Sequence, residues 1–399
     1  MFGKEVLLAK TLIFVEYEYY YGRGNWDREL IKRLAKKGYL IHAITRKFPS
    51  DFQDQEQEIK NLGVRFHFID TRNGFNFAIV ALAEVLKLVR KNKAVLYIPS
   101  IRLAPFCYVF KKLFGAGLIF ALQGAPLLEL DIMPEFKRIR QNRVWYFLKR
   151  KLIGFEEKIS ALLADRVTVF SKMINNELVA LDVPQKRIDL MYYCIDQHTF
   201  KKDQEKRMEI RSELNVSDQD ILVTYVARLS FDVPSRLWAA EMLIEMAKEL
   251  NLKVMLVGGG DALEYLRERI KTADLSDRVF VRGFVANKNV PDVLSASDVF
   301  FFVMKDPLPT YGLALLEAMS CETAVLTNNS GSAKEIIADG QNGYLVDPTP
   351  EAIRFKLKNI VEEKRDYFND IGTCAREDVC QKYSWEVVED KIEAIISSL

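Results

Sequence analysis

Residues 298–348 read DVFFFVMKDPLPTYGLALLEAMSCETAVLTNNSGSAKEIIADGQNGYLVDP. The unbroken apolar run to Met304 predicts a strand buried on both faces, as in a parallel sheet covered by helices. A proline-rich loop follows, and a helix is expected from Gly312. Glu317 falls in its second turn, four residues after Leu313. A carboxylate there can accept two hydrogen bonds from a ribose diol, while the helix N-terminus, with Thr310, Tyr311, Gly312 and Leu313, faces a diphosphate. The competing reading of Glu317 is a salt-bridged helix acid. A further strand comes next, then a glycine-serine turn at Gly331 and Ser332 that ends near Glu335.

Working outward, the same strand–helix alternation fills the chain. In the second half, ILVTYVA is a strand, a helix is expected from about Ser235 to Leu250, and KVMLVGGGDALEYL (253–266) reads as strand, glycine turn and helix. Backbone N–H groups at Gly258 and Gly260 suit a phosphate, and a tight turn explains the same glycines. The dinucleotide fingerprint fails because Leu263 stands where the third spaced glycine belongs, which disfavours a nicotinamide-dependent oxidoreductase. Arg228, just beyond the strand 221–227, lies at the edge where parallel sheets bind ligands.

The first half repeats the architecture. Strands are expected at 11–17, 39–45 and 64–69, with helices at 25–38 and 77–92 and later strands at AVLYIP, GLIFALQ, RVTVFS and RIDLMYYCID. The polar stretch 201–220 reads as a linker. The expected fold is α/β, with two doubly wound domains facing a cleft: 1–196, 197–382 and a terminal helix, 383–399, with Ser384 as its N-cap. At 399 residues the chain is too long for one core.

Net charge divides along the same line. Residues 1–200 carry 32 Lys/Arg against 21 Asp/Glu, and the remainder 25 against 34. A basic first half suits an anionic acceptor or membrane surface. Its densest basic stretch, 133–159, interleaves cations with Phe136, Trp145 and Phe147. It reads either as an amphipathic helix on anionic lipid or as a helix with its apolar side in the core. No nucleic-acid module is present. No apolar run is long enough to span a bilayer, and 1–18 reads as a first strand, not a signal peptide. Five scattered cysteines and three histidines give no metal spacing, so a reduced, cytoplasmic protein without a metal is expected.

On these motifs the chain resembles the family 4 glycosyltransferases of the GT-B fold. The likeness runs through Tyr21-Gly22-Arg23-Gly24-Asn25, ALQG (121–124), ADRVTVFS (164–171), CIDQHTF (194–200), ARLS, LVGGGD, YGLALLEAMS, the SGSAKEIIADGQNGYLVDP tail and YSWE (383–386). It implies retaining transfer from a nucleotide sugar, UDP- or GDP-linked, without a metal, to a glycan, lipid-linked or small-molecule acceptor. The donor would lie on the second domain, with Glu317 on the ribose hydroxyls. Arg228 would meet the leaving diphosphate. The acceptor would lie on the first domain, near Tyr21, Gly22, Arg23, Gly24 and Asn25.

Three departures cluster at the implied reaction centre, and a fourth lies at the domain junction. Pro309 stands where the family's first acid belongs, Val233 where it has a lysine, and Gln123 where it has a histidine. The junction reads Tyr193-Cys194 in place of Asn-Gly. Arg236 in a first helical turn, Asp306 and the hydrogen-bonding Gln123 are the candidate replacements. The alternative is an inactive GT-B partner or regulatory subunit.

Overall fold

A computed structural model gives the architecture for all residues except 1–9, 18–22, 49–52, 72, 92, 125, 133–135, 137–138, 140, 251, 306–311 and 363–364. The apolar runs of the first half form seven strands: β1 (Thr11–Val15), β2 (Leu40–Thr45), β3 (Arg65–Phe68), β4 (Ala94–Ile98), β5 (Gly117–Leu122), β6 (Arg166–Val169) and β7 (Ile188–Leu190). They pair in parallel in the order β3-β2-β1-β4-β5-β6-β7. Every residue of β1, β4 and β5 is buried, because helices cover both faces. These are α1 (Arg23–Lys36), α2 (Gln53–Asn61), α3 (Gly74–Val89), α4 (Ala104–Phe114), α5 (Pro126–Ile132), α6 (Arg143–Leu163) and α7 (Lys172–Ala180).

The second half builds a six-stranded parallel sheet from β8 (Leu222–Val226), β9 (Lys253–Val257), β10 (Val279–Gly283), β11 (Val299–Phe302), β12 (Ala324–Asn328) and β13 (Tyr344–Val346), in the order β10-β9-β8-β11-β12-β13. Its helices are α8 (Gln204–Glu213), α9 (Pro234–Glu249), α10 (Leu263–Thr272), α11 (Val290–Ala296), α12 (Leu313–Ser320), α13 (Pro350–Glu362), α14 (Arg365–Lys382) and α15 (Trp385–Ser397). The chain divides into two compact units. The first holds residues up to 193, apart from 132–134, together with 388–399; the second holds 194–387 and 132–134.

Several local expectations change. The stretch 201–220 is no linker. It carries α8, capped by Asp203, whose side chain accepts from the Lys206 N–H. Arg207 and Arg211 project from α8 onto Asp298 at 2.6 and 2.9 Å, and Asp298 also accepts from the Leu222 N–H at 2.8 Å. Burial opposes charge on Asp298, but the two guanidinium groups hold its carboxyl below the usual range.

Helix α1 starts at Arg23, so Arg23, Gly24 and Asn25 form its first turn and not a preceding loop. Helix α3 starts at Gly74, where Asn73 accepts from the Phe75 N–H, three residues before the expected start. From Val388 the closing helix belongs to the first unit. There Glu389 pairs with Arg33 at 2.7 Å, Glu393 with Lys37 at 2.6 Å, and Lys10 Nζ donates to the Ile396 carbonyl at 2.9 Å.

Candidate functional site

In the second unit, the sheet order reverses between β8 and β11; Arg228, Gly258, Gly260 and Gly312 lie beyond the carboxyl ends of β8, β9 and β11, and Leu313 and Glu317 on the helix after β11. After β8 the chain passes through Ala227, Arg228 and Leu229, bound backbone to backbone to the turn that follows β9. The Ala227 N–H donates to Val257 O at 2.9 Å, Leu229 N–H to Gly259 O at 2.9 Å, and Ala262 N–H to Leu229 O at 3.2 Å. Gly258 and Gly260 have φ of +138° and +153°. A Cβ there would stand 1.7 Å from the Ala227 carbonyl oxygen and 1.9 Å from that of Leu229. Contact between two loops therefore requires both glycines.

Asp261 secures the same turn by accepting from Ser230 Oγ at 2.6 Å and the Phe231 N–H at 3.0 Å, bonds that hold its carboxyl below the usual range. The assembly presents Arg228, whose side chain is 57% exposed and paired with Asp232. An exposed pair of this kind is readily exchanged for a ligand anion. Arg236 is half-buried in the first turn of α9, and its carbonyl accepts from the Tyr225 hydroxyl at 3.1 Å.

Gly312 is the N-cap of α12, and no side chain caps that end. A Cβ at Gly312 would lie 2.7 Å from Phe302 Cζ, so the ring at the end of β11 selects glycine. The uncapped first turn offers N–H groups to an anion. Leu313 opens the helix, and Glu317 is half-buried in its second turn. Burial alone pushes the Glu317 carboxyl up to about 7. Its side chain makes no ion pair or hydrogen bond among the described residues, which removes the salt-bridged reading. The expected Thr310 and Tyr311, with Pro309 and Asp306, lie outside the described residues.

Two features here escaped the sequence reading, although Ser332 itself lies in the turn that reading singled out. Asn328 grips the segment after β11, accepting from the Met304 N–H at 2.8 Å and donating to its carbonyl at 2.7 Å. Beyond β12, the buried Oγ atoms of Ser330 and Ser332 have no partner among the described residues. Neither has a spacing signature; only a strand end rich in small polar residues marks them.

In the first unit, Gln123 follows β5 and is 4% exposed. Its Nε2 donates to Asp27 Oδ1 at 2.6 Å, and its carbonyl accepts from the Tyr193 hydroxyl at 3.0 Å. The structure thus corrects the expectation of a sugar-binding amide: this Nε2 is spent on a buried carboxylate. The Tyr97 hydroxyl completes the group, pushed well above its usual range by burial and then by the Asp27 charge. The signal for Asp27 was present, since it shares the core face of α1 with the buried Trp26, Leu30, Ile31 and Leu34. Trp26 meets Phe170 and Tyr193 edge to face, and the Phe170 and Tyr193 rings are tilted with centroids 4.7 Å apart. Tyr21 and Gly22 lie outside the described residues, and Arg23, Gly24 and Asn25 are placed by backbone alone.

Two doubly wound parallel sheets, the second with glycine-packed loops and an uncapped helix at its switch point, define a protein of the GT-B class. Residues 206–378 match the family described as glycosyl transferases group 1. N-acetyl-alpha-D-glucosaminyl L-malate synthase of Bacillus anthracis is 25% identical over 384 residues, covering 94% of this chain and 93% of that protein. A GDP-mannose-dependent alpha-(1-6)-phosphatidylinositol monomannoside mannosyltransferase of Mycolicibacterium smegmatis is 25% identical over 59% of this chain and 62% of its own length. Among solved structures, Anabaena HepE in complex with UDP superposes with a TM-score of 0.76 at 17% identity, covering 98% of this chain and all of that one. Sucrose-phosphate synthase from Thermosynechococcus elongatus gives 0.74 at 16% identity, covering 98% of each. Residues 206–378 carry the family match and the whole chain has the GT-B fold, which together support a GT-B glycosyltransferase.

Proposed function

We propose that the chain moves a sugar from a nucleotide-sugar donor to an acceptor with retention of anomeric configuration. The observation that carries this reading is Glu317, a half-buried carboxyl without a partner among the described residues, on a helix whose N-terminus no described side chain caps. Glu317 accepts from the ribose hydroxyls, and the first turn of α12 receives the diphosphate. Solved relatives in complex with UDP and with UDP-glucose support a donor of this chemistry.

The bond from the anomeric carbon to the diphosphate oxygen breaks with its electron pair. Arg228, Arg236 and the helix N-terminus stabilise the charge on that oxygen, so the proposed reaction uses no metal. The acceptor oxygen bonds the same face of the sugar, and its proton passes to the leaving phosphate. The acceptor is a glycan, a lipid-linked molecule or a small molecule, held by the first unit. Exposed Trp145 and Phe147 between the cations of α6 support a peripheral contact with anionic membrane through 133–159 at the cytoplasmic face.

The test is release of nucleoside diphosphate from a panel of UDP-, GDP- and ADP-sugars by the purified chain, with and without a chelator. Turnover with one donor that survives chelation and falls at least about a hundredfold in Arg228→Ala supports the reading. Neither turnover nor nucleotide binding with any donor would leave the chain as a non-catalytic partner subunit.

A further inference from the structure

The first unit carries a cavity of about 1040 Å³, at the upper end of the range for ligand pockets. Val15 at the end of β1, Tyr17 beyond it, and the segment from Pro99 to Leu103 beyond β4 form its floor. These are the two neighbouring strands at which the sheet order reverses, where doubly wound sheets take their ligands. Phe75, Ile79 and Leu82 of α3, Phe106 of α4 and Phe155 of α6 form the walls.

Among the described residues, its charged and hydroxyl side chains other than the Tyr17 phenol are Glu16, Ser100, Arg102 and Glu156. Glu16 Oε1 accepts from the Tyr17 N–H at 3.1 Å, and Arg102 Nε lies 3.7 Å from Glu156 Oε2. A glycan placed along these walls would lose its hydrogen bonds to water and regain few. A hydrocarbon chain would gain from every methylene buried.

The surface around the cavity has the same character. Among the described residues nineteen large apolar side chains are exposed, and twelve lie on these three helices: three on α3, three on α4 and six on α6. Residues 136–155 hold seven Lys/Arg and no acid. Lys149 Nζ lies 5.0 Å over the Phe136 ring and Lys151 Nζ 5.6 Å over that of Phe147. Apolar surface interleaved with cations matches a leaflet of anionic lipid in both polarity and charge.

We infer that this cavity holds the hydrocarbon chain of an anionic, lipid-linked acceptor, whose head group meets Arg102 and the cations of α6. The word acceptor rests on the glycosyl-transfer reading above; the binding of the chain does not.

The full chain is titrated with lysophosphatidylglycerols of increasing chain length, below micelle-forming concentrations. Each added methylene tightens binding about fourfold until the cavity is filled. Ile79→Glu, at a position 53% exposed and therefore tolerant, weakens binding at least about tenfold. Ala78→Trp, which fills the cavity with a ring, does the same. Trp145→Glu, outside the cavity, leaves lysolipid binding intact but lowers adsorption to vesicles of equal parts phosphatidylcholine and phosphatidylglycerol.

Affinity that ignores chain length overturns the inference, as does wild-type affinity in both cavity variants. So does a dimer that covers this face and dissociates in Trp145→Glu. Donor turnover onto a water-soluble acceptor without lysolipid binding removes the cavity proposal and spares the enzyme. Lysolipid binding without turnover on any donor does the reverse.

Discussion

Gln123 Nε2 donates to Asp27 Oδ1 at 2.6 Å inside the first unit, so the side chain at the position where the family has a histidine holds a buried carboxylate. Gln123→Ala leaves that carboxylate without one of its donors, and unfolding free energy falls by about 1–3 kcal/mol. Gln123→Glu is worse, because it sets two acids against each other in a buried place. Urea unfolding of both variants checks this, and a change within about 0.5 kcal/mol of wild type would refute it.

Gly260 packs against the Leu229 carbonyl so closely that a methyl group displaces the loop bearing Arg228. Gly260→Ala is expected to cost about 2 kcal/mol or more, from positive φ and overpacking together. Donor binding falls in parallel. Gly283→Ala, where φ is +74° but no atom lies within 4 Å of the added Cβ, carries the backbone strain without the clash and separates the two causes.

Glu317 titrates near 7 because of burial. In the proposed reaction its carboxylate form accepts from the ribose hydroxyls, so nucleotide affinity is expected to drop as pH falls through about 7. Glu317→Gln removes this pH dependence. Stability runs the other way. An acid whose folded pKa exceeds its unfolded value of about 4.3 favours the folded state at low pH and loses that advantage as pH rises from there through about 7. Calorimetric titration with UDP and GDP, and melting curves across that window, read the two effects separately.

Asp298 joins Arg207 and Arg211 to the strand edge at Leu222. Asp298→Ala leaves two guanidinium groups short of a partner in a largely buried site, and destabilises by about 3–5 kcal/mol. The folded pKa of Asp298 is depressed. Its contribution is therefore present above the unfolded value of about 3.9 and is lost as pH falls through the lower folded value. Acid denaturation should begin at higher pH in Arg211→Met than in wild type; coincident curves would contradict this.

The sheets were legible because their strands are unbroken apolar runs between helices, and β1, β9 and β12 fall where that pattern places them. Gly312 and Glu317 were legible because a helix N-terminus and an acid in its second turn have a fixed spacing. The role of Gln123 was not. Its partner Asp27 lies far away in sequence, and only the pairing of β5 with the strands beside it brings α1 within reach. Likewise the region 201–220 is polar enough to pass for a linker. Arg207 and Arg211 face inward only because Asp298 awaits them there. Gly258 and Gly260 were visible as a turn, but the reason for both glycines is a neighbouring carbonyl on another loop. No local pattern records that.

The helix that completes the first unit is made after the whole second unit. Residues 388–399 supply Glu389 and Glu393 to Arg33 and Lys37, and Leu399 Cβ lies 2.9 Å from where a Cβ on Gly117 would stand. On the ribosome, the first sheet must wait while the whole second unit is synthesised, roughly 10–40 s at ordinary elongation rates. During that interval Arg33 and Lys37 lack Glu389 and Glu393, and the nascent chain is open to proteases and to chaperone capture.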